Sequence, residues 1–239
     1  MKIIILSLAL SLVNVINGQS FEGTLTYSVE MEVSEKMQNF GITKEVWIEK
    51  MRNEGVWSDS IMITYKDGEY FQQMGESMLA WSIYRSDSNK LYSFQKDEDI
   101  CTVLNTGIDL EEEMTGNEPK VTLLDTIVFI SEMHCKIVRV KWKAGYYDYY
   151  FNSDTNSINP EFYKSYKYDG WYEYLKIAKS LPIRIVKSTK GIMTVTMSLV
   201  DTKKHKLDDS LFLIPILVYD KDLNLTPSGN KVFMRVLEK

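Results

Sequence analysis

FEGTLTYSVEMEV (residues 21–33) alternates without a break. Phe21, Gly23, Leu25, Tyr27, Val29, Met31 and Val33 fall on one side, and Glu22, Thr24, Thr26, Ser28, Glu30 and Glu32 on the other. Side chains of a strand point alternately to opposite faces, so a period of two over thirteen residues predicts a half-buried strand. Its polar side faces water and its apolar side faces a core or a cavity.

Short β-type runs follow at intervals of about ten residues. KEVWIEKM reads as one. SIMITYKDGEYFQQM reads as two strands joined at Lys66-Asp67-Gly68-Glu69, since Asp-Gly is a tight-turn signal. LAWSIYRSDSNKLYSFQ repeats the pattern around Asp87-Ser88-Asn89, and ICTVL, KVTLL, TIVFI and CKIVRVKW continue it. Between them, the acidic IDLEEEMTGNEPK reads as a solvated loop. A meander of antiparallel strands is the simplest account of this order.

The pattern changes at Asn159-Pro160, a helix-start signal because Asn caps and Pro suits the first turn. PEFYKSYKY predicts a short helix. Asp169 is a second cap candidate before GWYEYLKIAKS, where Trp171, Tyr174, Leu175 and Ala178 fall on one helical face. Leu181-Pro182 ends that helix. IRIVKS and IMTVTMSLV then flank the Lys190-Gly191 turn, and LFLIPILVY and VFMRVL close the chain. The reading is a mainly β (α+β) single domain over residues 19–239, with a helical insertion at about 159–179.

The first residues, MKIIILSLALSLVNVINGQS, carry one charge, Lys2, before an apolar run from Ile3 to Val13 and a polar end at Asn14, Asn17 and Gly18. This is a secretory signal pattern, shorter than the roughly 20 apolar residues of a spanning helix. Residues 1–18 are therefore expected to act as a signal peptide cleaved near Gly18–Gln19; a retained anchor is the alternative. The expected location is export, to the periplasm of a Gram-negative bacterium or to the extracellular space, with no transmembrane span in the mature chain. Loss of Lys2 moves the net charge from −5 to −6. A mildly acidic chain lacks the clustered Lys and Arg that phosphate contacts need, so nucleic acid is not an expected partner.

Two cysteines, Cys101 and Cys135, lie in strand-like runs that neighbour each other in some meanders. In an exported chain such a pair is read as a candidate disulfide, the alternative being two separate buried thiols. Catalytic patterns are scarce. His205 sits in the charged KKHKLDD. His134 adjoins Cys135, and adjacent strand residues point to opposite faces, so the two are badly placed as base and nucleophile. No nucleophile elbow, phosphate loop or dinucleotide fingerprint occurs. No metal-ligand spacing appears either, so neither metal nor cofactor is expected.

The remaining signal is aromatic. Residues 146–174 hold twelve of the chain's twenty-nine Phe, Tyr and Trp. Such rings line apolar pockets, stack on ligands, mark partner surfaces, or simply pack a core.

The order of motifs resembles a known group. An exported F-x-G-x-L-x-Y strand (Phe21–Tyr27) precedes the meander. Then come I-x-x-M-x-C-K (Ile130–Lys136), an aromatic strand, a helical piece, S-L-P-I-R-I (Ser180–Ile185) and D-D-S-L-F-L-I-P (Asp208–Pro215). This is similar to the uncharacterised exported envelope proteins with an outer-membrane-lipoprotein-sorting-like fold, relatives of the lipoprotein carrier LolA. Leu181–Val186 departs from the Gly-Leu-Pro-Gly-Leu-Ile signature of one related group. The resemblance implies a strongly curved antiparallel sheet, a half-open β-barrel, with a short helical lid over its apolar side and no catalytic residues. It implies a lipid or other apolar ligand. Under that reading Phe162, Tyr166, Trp171, Tyr174 and Leu175 from the lid, and Tyr27, Val29 and Met31 from the first strand, are the candidate ligand-binding residues. The alternative functions are a solid-cored module that engages another envelope protein, and a hydrolase with an unrecognised site.

Overall fold

The computed structural model describes residues 20–75, 79–225 and 230–237. The segment read as a signal peptide lies outside them. Strand β1 (Gly23–Val33) leads into helices α1 (Glu35–Asn39) and α2 (Lys44–Asn53). A meander follows: β2 (Ser60–Lys66), β3 (Glu69–Gln73), β4 (Leu79–Arg85), β5 (Lys90–Gln95) and β6 (Ile100–Asn105). After α3 (Leu110–Thr115) come β7 (Lys120–Ile130), β8 (Met133–Lys141) and β9 (Gly145–Phe151). Two 3-10 turns, Pro160–Tyr163 and Tyr168–Gly170, and helix α4 (Trp171–Ala178) form the insertion. The chain returns as β10 (Arg184–Thr189) and β11 (Met193–Lys204), and ends in β12 (Leu217–Tyr219) and β13 (Lys231–Val236).

Among the described residues, thirteen strands form one antiparallel sheet in the order β12-β13-β6-β5-β4-β3-β2-β1-β11-β10-β9-β8-β7, which does not close. Strand β1 sits near its middle, paired with β2 on one side and β11 on the other. The alternation read in residues 21–33 is the alternation seen: Leu25, Tyr27, Val29, Met31 and Val33 are buried, while Glu30 and Glu32 are exposed. The Asp67-Gly68 turn joins β2 to β3 with positive φ at both residues (47° and 84°), the conformation that two-residue hairpins favour.

The sheet is curved. Tyr84 of β4 and Tyr149 of β9 lie six strand positions apart, roughly 29 Å in a flat sheet at about 4.8 Å per strand. Yet three ring-to-ring steps link them through the lid: Tyr84–Tyr163 at 5.6 Å, Tyr163–Trp171 at 6.3 Å and Trp171–Tyr149 at 5.9 Å. The two wings therefore bend toward each other, giving a half-open barrel whose concave face carries the main core. A curved sheet with one apolar face needs a cover. The lid supplies one, and Met37, Ile42, Trp47, Ile48 and Met51 on and between α1 and α2 pack against the core as well.

Three expectations are corrected. KEVWIEKM is not a strand but most of α2. Thr43 caps it, accepting from Val46 N, and Trp47, Ile48 and Met51 share one helical face, so capping and spacing outweigh the run's β-branched content. The acidic stretch after Ile108 is not wholly a loop: Asp109 caps α3, and Gly116 ends it in the left-handed region at φ 68°. Cys101 and Cys135 do not pair. They lie on β6 and β8 with eight strands between them, far beyond the roughly 7 Å Cα separation a disulfide tolerates. Each is a buried free thiol in its own small cluster. Cys101 packs with Phe94 and Val103, and Cys135 with Ile130 and Ile183. Burial pushes the Cys101 thiol up to about 12 and raises Cys135 as well, so both remain protonated at neutral pH. The segment after Pro215 covers Phe94, Cys101 and Val103 with Leu217, Met234 and Val236.

Candidate binding cleft under the lid

The lid begins and ends at a clamp. Ser157 and Ser180 form a β-bridge, Ile158 N donates to Lys179 O at 3.0 Å, and Leu181 N donates to Asn156 O at 3.0 Å. Asn159 caps the first 3-10 turn as expected, accepting from Glu161 N at 3.1 Å, but the predicted helix over PEFYKSYKY is only that one turn. Helix α4 buries the predicted face: Tyr174, Leu175 and Ala178 are 0, 0 and 3% exposed. Its cap differs from expectation. Gly170 occupies the N-cap position, and Asp169, at φ 59°, directs its carboxylate to the Lys187 ammonium at 2.7 Å instead. Gly170 lies against the sheet so closely that a Cβ there would stand 2.5 Å from Val140 Cγ1.

Side-chain and backbone hydrogen bonds tie the lid to both wings. On the β5–β6 side, Asn89 Nδ2 donates to Ser165 O at 2.8 Å, and Lys167 N and Tyr168 N donate to Thr106 O at 2.8 and 3.0 Å. On the β9–β10 side, Tyr149 Oη donates to Asp169 O at 2.7 Å. Between them, the hydroxyls of Tyr70 and Tyr166 meet at 2.8 Å. Burial raises the pKa of Tyr27, Tyr65, Tyr70, Tyr149 and Tyr166, so these phenols stay neutral, and the hydroxyls of Tyr27, Tyr70, Tyr149 and Tyr166 serve as hydrogen-bonding groups.

A cleft of about 280 Å³ remains beside this strap on the concave face. Strands β1 and β2 contribute Tyr27, Ile61, Ile63 and Tyr65 to its lining, and β3 contributes Tyr70 and Gln72. Tyr149, Ile185, Lys187 and Met197 come from β9, β10 and β11, and Tyr166, Asp169 and Trp171 from the lid. Its lining is mostly apolar, with Gln72 and the Asp169–Lys187 pair as the polar groups. Burial disfavours the Lys187 ammonium, but the Asp169 carboxylate outweighs it, and the net effect holds the lysine above its ordinary range.

Of the residues named from sequence, Tyr27, Tyr166 and Trp171 line the cleft. The others pack. Tyr174 stacks on Tyr149 at 4.5 Å and donates to Ser180 O at 2.7 Å, and Leu175 is fully buried. Val29 and Met31 belong to the core. Phe162 rests on the β2–β3 turn, where a Cβ on Gly68 would approach its Cβ to 2.4 Å. The apolar and aromatic lining residues missed were Ile61, Ile63, Tyr65, Tyr70, Met74, Tyr149, Ile185 and Met197, and the polar ones Gln72, Asp169 and Lys187. The alternation Ile61, Ile63, Tyr65 in SIMITY carried the signal for β2. Lys187 carried none, because only the fold brings it to Asp169.

No protein-family description matches the chain, and no curated protein does. Among solved structures, the chain is similar to PNGF-II, in two crystal forms. One gives a TM-score of 0.41 at 12% identity over 80% of this chain and 29% of that one, the other 0.35 at 11% over 80% and 30%. It is also similar to a LolA superfamily protein, NE2245 from Nitrosomonas europaea, with a TM-score of 0.36 at 9% identity over 82% of this chain and 91% of that one. The chain thus spans about three tenths of the length of PNGF-II. At TM-scores below 0.5 these likenesses carry no functional information.

Proposed function

We propose that this is an exported, non-catalytic binding protein of the cell envelope that takes the apolar part of a ligand, such as an acyl chain, into the concave cleft. The observation that carries the reading is the cleft itself: about 280 Å³ of unfilled space on the concave face, walled by Ile, Met, Tyr and Trp side chains that are themselves part of the main core. Pockets for small ligands are concave and mostly apolar, with a few placed polar groups. Here Gln72 and the Asp169–Lys187 pair fill that role, and they would meet the polar end of an amphiphile. Native mass spectrometry with lipid extraction, followed by titration with a fluorescent fatty acid, tests it. A co-purifying lipid or saturable 1:1 binding is the expected result; a folded protein that does neither overturns it.

A second reading, engagement of another envelope protein, has one observation in its favour. Strand β7 is a sheet edge eleven residues long, and Leu123, Ile127 and Phe129 on it are 47, 64 and 66% exposed. A long apolar edge invites strand addition. Ile127→Lys with Phe129→Lys would abolish co-purification of such a partner and leave fatty-acid binding intact.

A further inference from the structure

A second, smaller cavity of about 160 Å³ shares Asp169 with the cleft. Trp142, Tyr146, Tyr147 and Tyr168 give it four rings, and Asp109, Glu111 and Asp169 give it three carboxylates. It is built by the strand ends rather than by the lid alone. Trp142 follows β8, Tyr147 stands on β9, and Asp109 and Glu111 come from the start of α3.

The charge balance of this lining is incomplete. Asp169 has Lys187 as its partner. Among the described residues no ion pair reaches Asp109 or Glu111, although Lys167 pairs with their neighbour Glu112 at 3.7 Å. Asp109 is buried and accepts from Trp142 Nε1 at 3.0 Å and Glu112 N at 2.9 Å; Glu111 accepts from Lys143 N and Ala144 N at 2.5 and 3.0 Å. These neutral donors orient the carboxylates without cancelling their charge. Burial first, and then the charges of Asp169 and Glu112, hold the Asp109 carboxyl above its ordinary range. The cavity thus carries negative potential with no cation of the chain assigned to two of its acids.

The rings point to the kind of cation. Aromatic faces attract ammonium groups, most strongly where water is excluded. Two such pairings already exist at its lining: the Lys187 ammonium lies 4.7 Å from the centre of the Tyr147 ring while bound to Asp169, and the Arg139 guanidinium lies 4.2 Å from the centre of the Tyr146 ring while bound to Asp148, which among the described residues leaves the Trp142 and Tyr168 rings without a cation. The carboxylates, by contrast, do not converge as a metal site would. Among the described residues no group of three His, Cys, Asp or Glu stands close enough to hold an ion. Separated acids interleaved with rings suit a diffuse organic charge better than a compact metal ion.

We propose that this cavity binds a methylated organic ammonium, as the free cation or as a lipid headgroup. The inference does not rest on the reading of the concave cleft. Isothermal titration of the full chain with tetramethylammonium chloride at low ionic strength tests it. One saturable site is expected, and choline should bind it at least tenfold more tightly than 3,3-dimethylbutan-1-ol, choline's neutral isostere. Trp142→Leu should weaken the cation at least tenfold and Glu111→Gln at least threefold. Because Trp142 helps orient Asp109, circular dichroism must show the fold intact; if the Trp142 variant unfolds, Glu111→Gln alone carries the test. Displacement by choline identifies the free cation as the ligand, and displacement by phosphatidylcholine vesicles identifies the headgroup. Absence of saturable binding, equal affinity for the neutral isostere, or unchanged affinity in folded Glu111→Gln would overturn the proposal.

Discussion

The two halves of the lid look alike in sequence and behave differently in the fold. The buried face of α4 beyond Trp171 is packed: Tyr174 and Leu175 are fully buried, and Tyr174 lies flat on Tyr149. The stretch from Tyr166 to Trp171 adds hydroxyls, backbone carbonyls and one ion pair to its ring contacts, and it borders the unfilled cleft. An aromatic-rich cover is therefore a packed wedge at one end and a strap beside open space at the other. The lesson is that ring density alone does not mark a binding surface; what lies beneath each ring does.

Substitutions separate the two halves, and the largest effect belongs to the wedge. Leu175→Ala should lower stability by about 2–5 kcal/mol, the usual cost of emptying a packed site. Urea unfolding measures this, and fatty-acid affinity per folded molecule should change little. Next is the cleft. Ile185→Phe adds volume into existing space, so it should weaken fatty-acid binding at least tenfold while changing stability by under about 1.5 kcal/mol. A large stability loss there would mean that the cleft is already full.

Lys187→Met tests the strap. It removes the partner of Asp169 at a partly exposed site, where ion pairs contribute about 0–1 kcal/mol. Faster amide exchange at residues 166–170, with α4 unchanged, is the expected signature. The smallest effect concerns pH. The Asp109 carboxyl is raised in the folded state, so its ionisation is less favourable there than in the unfolded chain. This group alone therefore makes the fold more stable as pH falls through its folded pKa toward the ordinary carboxylate value, and adds nothing further below that. Asp109→Asn should remove this pH-dependent increment in denaturation curves recorded between pH 7 and 4.

The sheet was legible because its strands carry their own periodicity. Residues 21–33 fix a central strand and its buried face, and Asp67-Gly68 fixes a hairpin. The face of α4 was legible for the same reason, at helical spacing. What sequence could not show depends on contacts distant along the chain. Asp169 reads as a helix cap, yet it serves Lys187, eighteen residues away, because β10 runs beneath the lid. Cys101 and Cys135 both read as strand residues, but nothing local reports that eight strands separate them. Val29 and Met31 share a face with Tyr27, and the sheet's curvature decides which of the three borders empty space.

The central claim is that the cleft beside Tyr166 and Trp171 receives an apolar ligand. Parallel fluorescent fatty-acid titrations of the wild type and Ile185→Phe test it most directly, with both proteins shown to be folded by circular dichroism. Saturable 1:1 binding by the wild type and at least a tenfold loss in Ile185→Phe is the predicted result. A folded wild type that does not bind, or an Ile185→Phe protein that binds equally well, would contradict it.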